Sequence, residues 1–163
     1  MTADHKTMHL LPTLVLEDDP TMAELMREVL RLGSYSGYGF DPVVCGRLSD
    51  AVWLLGRRPY SAAVVDLGLP DATGTAAVET IVAACPSLPI VVVTGSRDLG
   101  LQAVDLGAED YMSKSEPCVW SHLPQRVVFA VIRHRRFHLG PALVEAWKQT
   151  ADRVSALVET CHA

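Results

Sequence analysis

The sequence predicts an α/β fold built on a parallel sheet, and three observations carry that prediction. Apolar stretches of strand length alternate with stretches of helical period five times along the chain. The strand candidates Ala62–Asp66 and Ile90–Val93 are apolar throughout, without the polar alternation of a half-exposed strand. Turn and cap residues separate the segments at short intervals, as in helices packed on both faces of one sheet.

Each element has its own signal. Thr13–Leu16 is short and apolar and runs into Glu17-Asp18-Asp19-Pro20, where Asp19 suits a helix cap and Pro20 its first turn. Met22, Leu25, Met26 and Val29 follow at helical spacing. Gly33 to Pro42, rich in Gly, Ser and Tyr, reads as a loop, and Val43–Cys45 as a short strand. Ser49 suits the cap of a short helix holding Val52 and Leu55. Ala62–Asp66 reads as a strand, followed by a turn through Pro70 and Gly74. Val78, Ile81 and Val82 form a helical face that Pro86 closes. Ile90–Val93 ends at Thr94, and Leu99, Ala103 and Leu106 mark a helix with Gly107 at its C-terminal cap. Asp110–Met112 is the last strand candidate, ahead of Lys114 and a long helix from Val119 to Phe137 that tolerates Pro124 only near its start.

The totals bound the function. The chain has 163 residues and a net charge of −5, which argues against nucleic acid as the main partner. Cys45, Cys85, Cys118 and Cys161 form no CxxC pair, which suits reduced thiols and a cytoplasmic protein. No apolar run approaches the roughly 20 residues of a membrane span. Residues 1–11 read as a tail, 12–137 as one domain and 138–163 as a helical extension. The basic run Arg133-His134-Arg135-Arg136 suits the dipole at a helix C-terminus. Beyond Gly140-Pro141, Val144, Trp147, Ala151, Val154, Val158 and Cys161 fall at spacings of three and four, one apolar seam. That seam suits docking on the domain itself, a homodimer through the C-terminal helix, or a partner protein.

Ligands of an open parallel sheet bind beyond the carboxyl ends of its strands. The first strand ends in Glu17-Asp18, the third in Asp66 and the fourth in Thr94, and Lys114 follows the fifth. If the strand order is 2-1-3-4-5, the acids meet in one crevice. Two unit charges at 4 Å repel by about 4 kcal/mol at an effective dielectric of about 20, so such a cluster holds protons or a cation. Hard oxygen ligands in an open site favour Mg²⁺, which also accepts a phosphate oxygen.

These residues resemble the receiver domain of two-component response regulators. The resemblance covers roughly Pro12 to Arg136 and rests on "LVLEDD", "VVDLGLPDATG", "IVVVTGS" and "GAEDYMSK", in that order. It implies a flavodoxin-like, doubly wound five-stranded sheet in the order 2-1-3-4-5 with five flanking helices, to which the C-terminal extension adds one more. It implies a phosphoacceptor at Asp66 and a Mg²⁺ (or Mn²⁺) site made by Glu17, Asp18, Asp66 and the backbone carbonyl of Gly68. Thr94 matches the hydroxyl that bonds the phosphoryl group, Lys114 the lysine that pairs with it, and Tyr111 the aromatic that turns on activation. The expected donor is a sensor histidine kinase or a phosphotransfer protein, the expected output a downstream protein partner. The chain is then a signalling phosphoacceptor rather than an enzyme in its own right. Ser115 stands where the family usually has proline, so the loop carrying Lys114 is expected to take another path. An aspartyl-phosphate phosphatase on a similar sheet generally has a second acid where this chain has Gly68. A flavin module would want a hydroxyl-rich loop where this chain has Glu17-Asp18-Asp19. A phosphorylation-independent scaffold or dimerisation module is the alternative reading.

Overall fold

In a computed structural model, residues 8–137 are described. The extension with its apolar seam, and with it the docking, homodimer or partner contact read for that seam, lies outside the described residues. Five strands, β1 (His9–Leu16), β2 (Tyr38–Cys45), β3 (Ala62–Asp66), β4 (Ile90–Thr94) and β5 (Asp110–Ser113), form one parallel sheet. Their order is β2-β1-β3-β4-β5, as the sequence motifs imply. The helices between them are α1 (Pro20–Leu32), α2 (Leu48–Leu55), α3 (Ala76–Ala84) and α4 (Arg97–Asp105), with α5 at 119–137.

Alternate residues of the central strands feed two cores, because successive side chains of a strand point to opposite faces. Leu14, Leu16, Ala63, Val65, Ile90 and Val92 pack with α2, α3 and α4. Leu11, Val15, Ala62, Val64, Val91 and Val93 pack with α1 and α5. Both faces of β3 and β4 are covered, which is why neither strand alternates in sequence. α5 is fastened at its rim as well. Arg126 and Arg133 pair with Asp110 at 2.9 and 3.4 Å, and His134 Nδ1 lies 2.7 Å from Glu109.

Three boundaries differ from the sequence reading. β1 begins at His9, so the expected tail of residues 1–11 gives up its last three residues to the sheet. β2 begins at Tyr38 and runs through Pro42, within a stretch read as loop. β2 is an edge strand, where a proline's missing N–H costs no pairing on the solvent side. Ser49 does not cap α2. The cap position is Arg47, with no side-chain bond, and Asp71 from the loop after β3 accepts from the backbone N–H groups of Leu48 and Ser49 at 2.9 and 3.0 Å. Those two bonds pull the Asp71 carboxyl below its ordinary range. Asp19 caps α1 as expected, accepting from Met22 N at 2.8 Å, and Gly107 takes a φ of +115° just past α4. Among the described residues, no helix is long and apolar enough to cross a membrane.

Candidate functional site

The carboxyl ends of β1 and β3 are neighbours, and this brings the acids together. One oxygen from each of Glu17, Asp18 and Asp66 lies within 4.8 Å of the others. Their surroundings differ. Glu17 is 2% exposed and Asp66 6%, while Asp18 faces solvent. A buried pair of acids with an open third is a donor set of hard oxygens with one side accessible, which fits a divalent cation of the Mg²⁺ or Mn²⁺ kind.

Lys114 supplies the local counter-charge. Its Nζ lies 2.8 Å from Glu17 Oε2 and 3.2 Å from Asp66 Oδ1. Burial pushes the Glu17 carboxyl above its ordinary range, against the hydrogen bonds from Lys114 and the Asp19 amide that stabilise its charge, and repulsion from Asp66 adds to the rise. Burial acts to lower the Lys114 ammonium, but its bond to Glu17 and the attraction of Asp66 outweigh it and hold the group above its usual range. The site is therefore a compact set of mutually dependent charges.

Ser115 follows Lys114, and the backbone of Lys114 is held to the sheet. Its amide donates to Thr94 O at 2.9 Å, which ties the loop to the end of β4. The hydroxyls of Ser113 and Ser115 lie 2.8 Å apart and brace the turn from within.

Thr94 is 4% exposed at the end of β4, and its Oγ1 accepts from Ser96 N at 3.1 Å. Ser96 in turn caps α4, accepting from Leu99 N at 3.4 Å. Gly68 sits close to Asp66: a Cβ added there would meet Asp66 Oδ2 at 3.2 Å. Gly95 borders open space, with nothing within 4 Å of such a Cβ. Gly95, Arg97, Tyr111, Ser113, Ser115 and Glu116 line a cavity of about 400 Å³. The ring of Tyr111 packs on α4 at Gly100. Sequence reasoning missed two contributors. Asp71 acts on a helix 22 residues away in sequence and left no local sign. Gly100 did leave one, a glycine inside a helical pattern.

Comparison with known proteins shows the family and the fold. The model of the response regulator receiver domain matches residues 13–121. Response regulator protein PilR of Pseudomonas aeruginosa is 31% identical over 103 residues, which are 62% of this chain and 22% of that protein. Transcriptional regulatory protein PmrA of Pectobacterium parmentieri is 32% identical over 125 residues, 75% of this chain and 53% of that protein. The chain thus spans only part of these relatives' length. The crystal structure of a sensor protein from Polaromonas sp. JS666 superposes with a TM-score of 0.64 at 28% identity, covering 76% of this chain and 98% of that one.

Proposed function

This chain belongs to the response regulator receiver domain family, and on that premise we propose that it accepts a phosphoryl group on Asp66 in a reaction that needs a divalent cation. Receiver domains are signalling proteins that work with histidine kinases or phosphotransfer proteins. The observation that carries the proposal is the convergence of Glu17, Asp18, Asp66 and Lys114 at the ends of adjacent strands.

The chemistry follows from charge. An Asp66 carboxylate oxygen attacks phosphorus, the bond from phosphorus to the donor nitrogen or oxygen breaks, and the electron pair leaves with the donor. Attack by an anion on a phosphoryl dianion meets strong repulsion. Glu17, Asp18, Asp66 and the Gly68 carbonyl would hold a divalent cation, which would supply positive charge on one side of the transferring group. Lys114, which lies 3.2 Å from Asp66 Oδ1, offers its ammonium donors to the incoming oxygens from the other side. Thr94 Oγ1 continues to accept from the Ser96 amide and donates its hydroxyl hydrogen to a phosphoryl oxygen. Gly95 leaves room for that oxygen. As Thr94 is drawn in, Tyr111 turns into the space beside it, and the two-state equilibrium of the α4–β5 face shifts.

The output we infer is contact with a downstream protein partner, and the net charge of −5 disfavours non-specific binding of nucleic acid by this chain itself. The reading as a phosphorylation-independent scaffold is the weaker one, because the acids and the lysine are all present and mutually oriented. The test is amide NMR with Mg²⁺ and beryllofluoride, a mimic of the phosphoryl group. Added together they should shift Asp66, Thr94, Gly95, Tyr111 and Lys114, and the shifts should vanish in Asp66→Asn. Shifts that persist in Asp66→Asn, or that lie elsewhere, contradict the proposal.

A further inference from the structure

Gly100 stands in the middle of α4 (Arg97–Asp105), where glycine weakens a helix relative to alanine. It is buried, and its neighbour is the ring of Tyr111. A Cβ at this position would lie 2.8 Å from Tyr111 Cγ and 2.9 Å from Cε2, with Cδ2 closer still. Real Cβ atoms do not approach carbon so nearly, and the obstructing atoms include the root of the ring, which moves only if the side chain rotates. The ring therefore lies directly on the helix backbone, in a berth that only glycine leaves open.

The berth is wired to the phosphoacceptor end of the sheet. Val92 pairs with Tyr111 in the β4–β5 register, and Val92 and Tyr111 pack in the same core. Thr94 lies two residues beyond Val92, so its side chain emerges on the face that Tyr111 occupies. Thr94 Oγ1 accepts from the amide of Ser96, and Ser96 holds the first turn of α4 through Leu99 N and through its own carbonyl to Gly100 N at 3.0 Å. A displacement of Thr94 thus pulls on the helix turn that ends at Gly100.

We propose that Gly100 is a positioning residue for the Tyr111 switch: its missing side chain stabilises the ring in the unphosphorylated position, against the position beside Thr94. The proposal rests on the phosphoacceptor reading of Asp66. A methyl group at residue 100 evicts the ring and biases the free protein toward the activated arrangement. The cost of the helical glycine is then the cost of a berth that can be vacated.

The test labels the full chain with 3-fluorotyrosine and assigns the Tyr111 resonance by its loss in Tyr111→Phe. In the parent, Mg²⁺ and beryllofluoride should move that resonance. In Gly100→Ala without ligand it should already lie at, or well toward, the ligand-saturated position. A ligand-free Gly100→Ala resonance that stays at the parent's free position, or goes to a third one, overturns the assignment of Gly100 alone. A parent resonance that ignores the ligand while the Thr94 and Lys114 amides respond overturns the tyrosine switch and this proposal with it. If those amides also stay unmoved, the phosphoacceptor reading itself has failed. Stability gives a second readout that survives poor folding of the single variant. In a Tyr111→Ala background the added methyl meets no ring, and Gly100→Ala should raise the folding constant about fivefold through helix propensity. With Tyr111 present it should lower it. Equal effects in both backgrounds overturn the berth.

Discussion

Lys114→Met is expected to slow phosphoryl transfer to Asp66 by about 100-fold or more, the scale lost when one preorganised donor to a developing charge is removed. The same change should cost about 2–3 kcal/mol of stability at neutral pH without metal, since it strands a buried carboxylate beside another. Glu17 is the stranded group: 1% of its side chain is exposed, against 25% for Lys114. The pH dependence has a definite sign. The folded-state Glu17 carboxyl is already raised, by burial first, and losing Lys114 raises it further. A raised acid favours the folded state below its unfolded value near 4.5, and that advantage is lost as pH rises through the folded value. The variant's deficit should therefore shrink as pH falls toward 5. Millimolar Mg²⁺ should also recover part of it, by replacing one cation with another. Urea denaturation at pH 7.5 and pH 5, with and without Mg²⁺, reads both effects. A deficit indifferent to pH and to metal would mean that the lysine matters only through packing.

Leu123→Ala should lower stability by about 2–5 kcal/mol, the range for emptying a leucine-sized core position. Leu123 is completely buried between α5 and the sheet, in the cluster that holds Met26, Leu30, Val64 and Val91. The surface ion pairs of Arg126 and Arg133 with Asp110 cannot compensate, because exposed pairs contribute about 0–1 kcal/mol each. Ile132 on the same helix is 38% exposed. Ile132→Ala should change stability by about 0.5 kcal/mol or less, as expected of surface positions away from the core. Denaturant midpoints of the two variants give the comparison. Similar losses would mean that α5 is held by its outer face rather than by the core.

How much of this was legible in the sequence depends on where each residue's partners lie. β3 and β4 declare themselves, because a strand covered on both faces has nothing polar to hide. Their carboxyl ends then locate Asp66 and Thr94 without reference to any other segment. β2 does not declare itself: "YGFDPVVC" holds glycine, aspartate and proline, each disfavoured in a strand, and its place at the sheet edge is what tolerates them. The exposed His9 and Leu10 hid the start of β1 in the same way, since they lie against the edge strand rather than in the core. The cap of α2 was illegible because Asp71 reaches it across the fold, while Ser49 offered a plausible local substitute. Lys114 could be recognised as a site residue, but its double engagement with Glu17 and Asp66 follows from the β4–β5 register and the tie to Thr94 O. Gly100 was visible as an oddity in a helix, and only its neighbour gives it a meaning.

The account stands or falls on whether the carboxylate at residue 66 becomes covalently phosphorylated. Intact-mass spectrometry after incubation with acetyl phosphate and Mg²⁺ measures this directly. The parent should gain the mass of one phosphoryl group, lose it in base, and gain none when EDTA replaces Mg²⁺ or when the protein is Asp66→Asn. An adduct that forms equally in Asp66→Asn, or a parent that stays unmodified while Mg²⁺ is present, would contradict it.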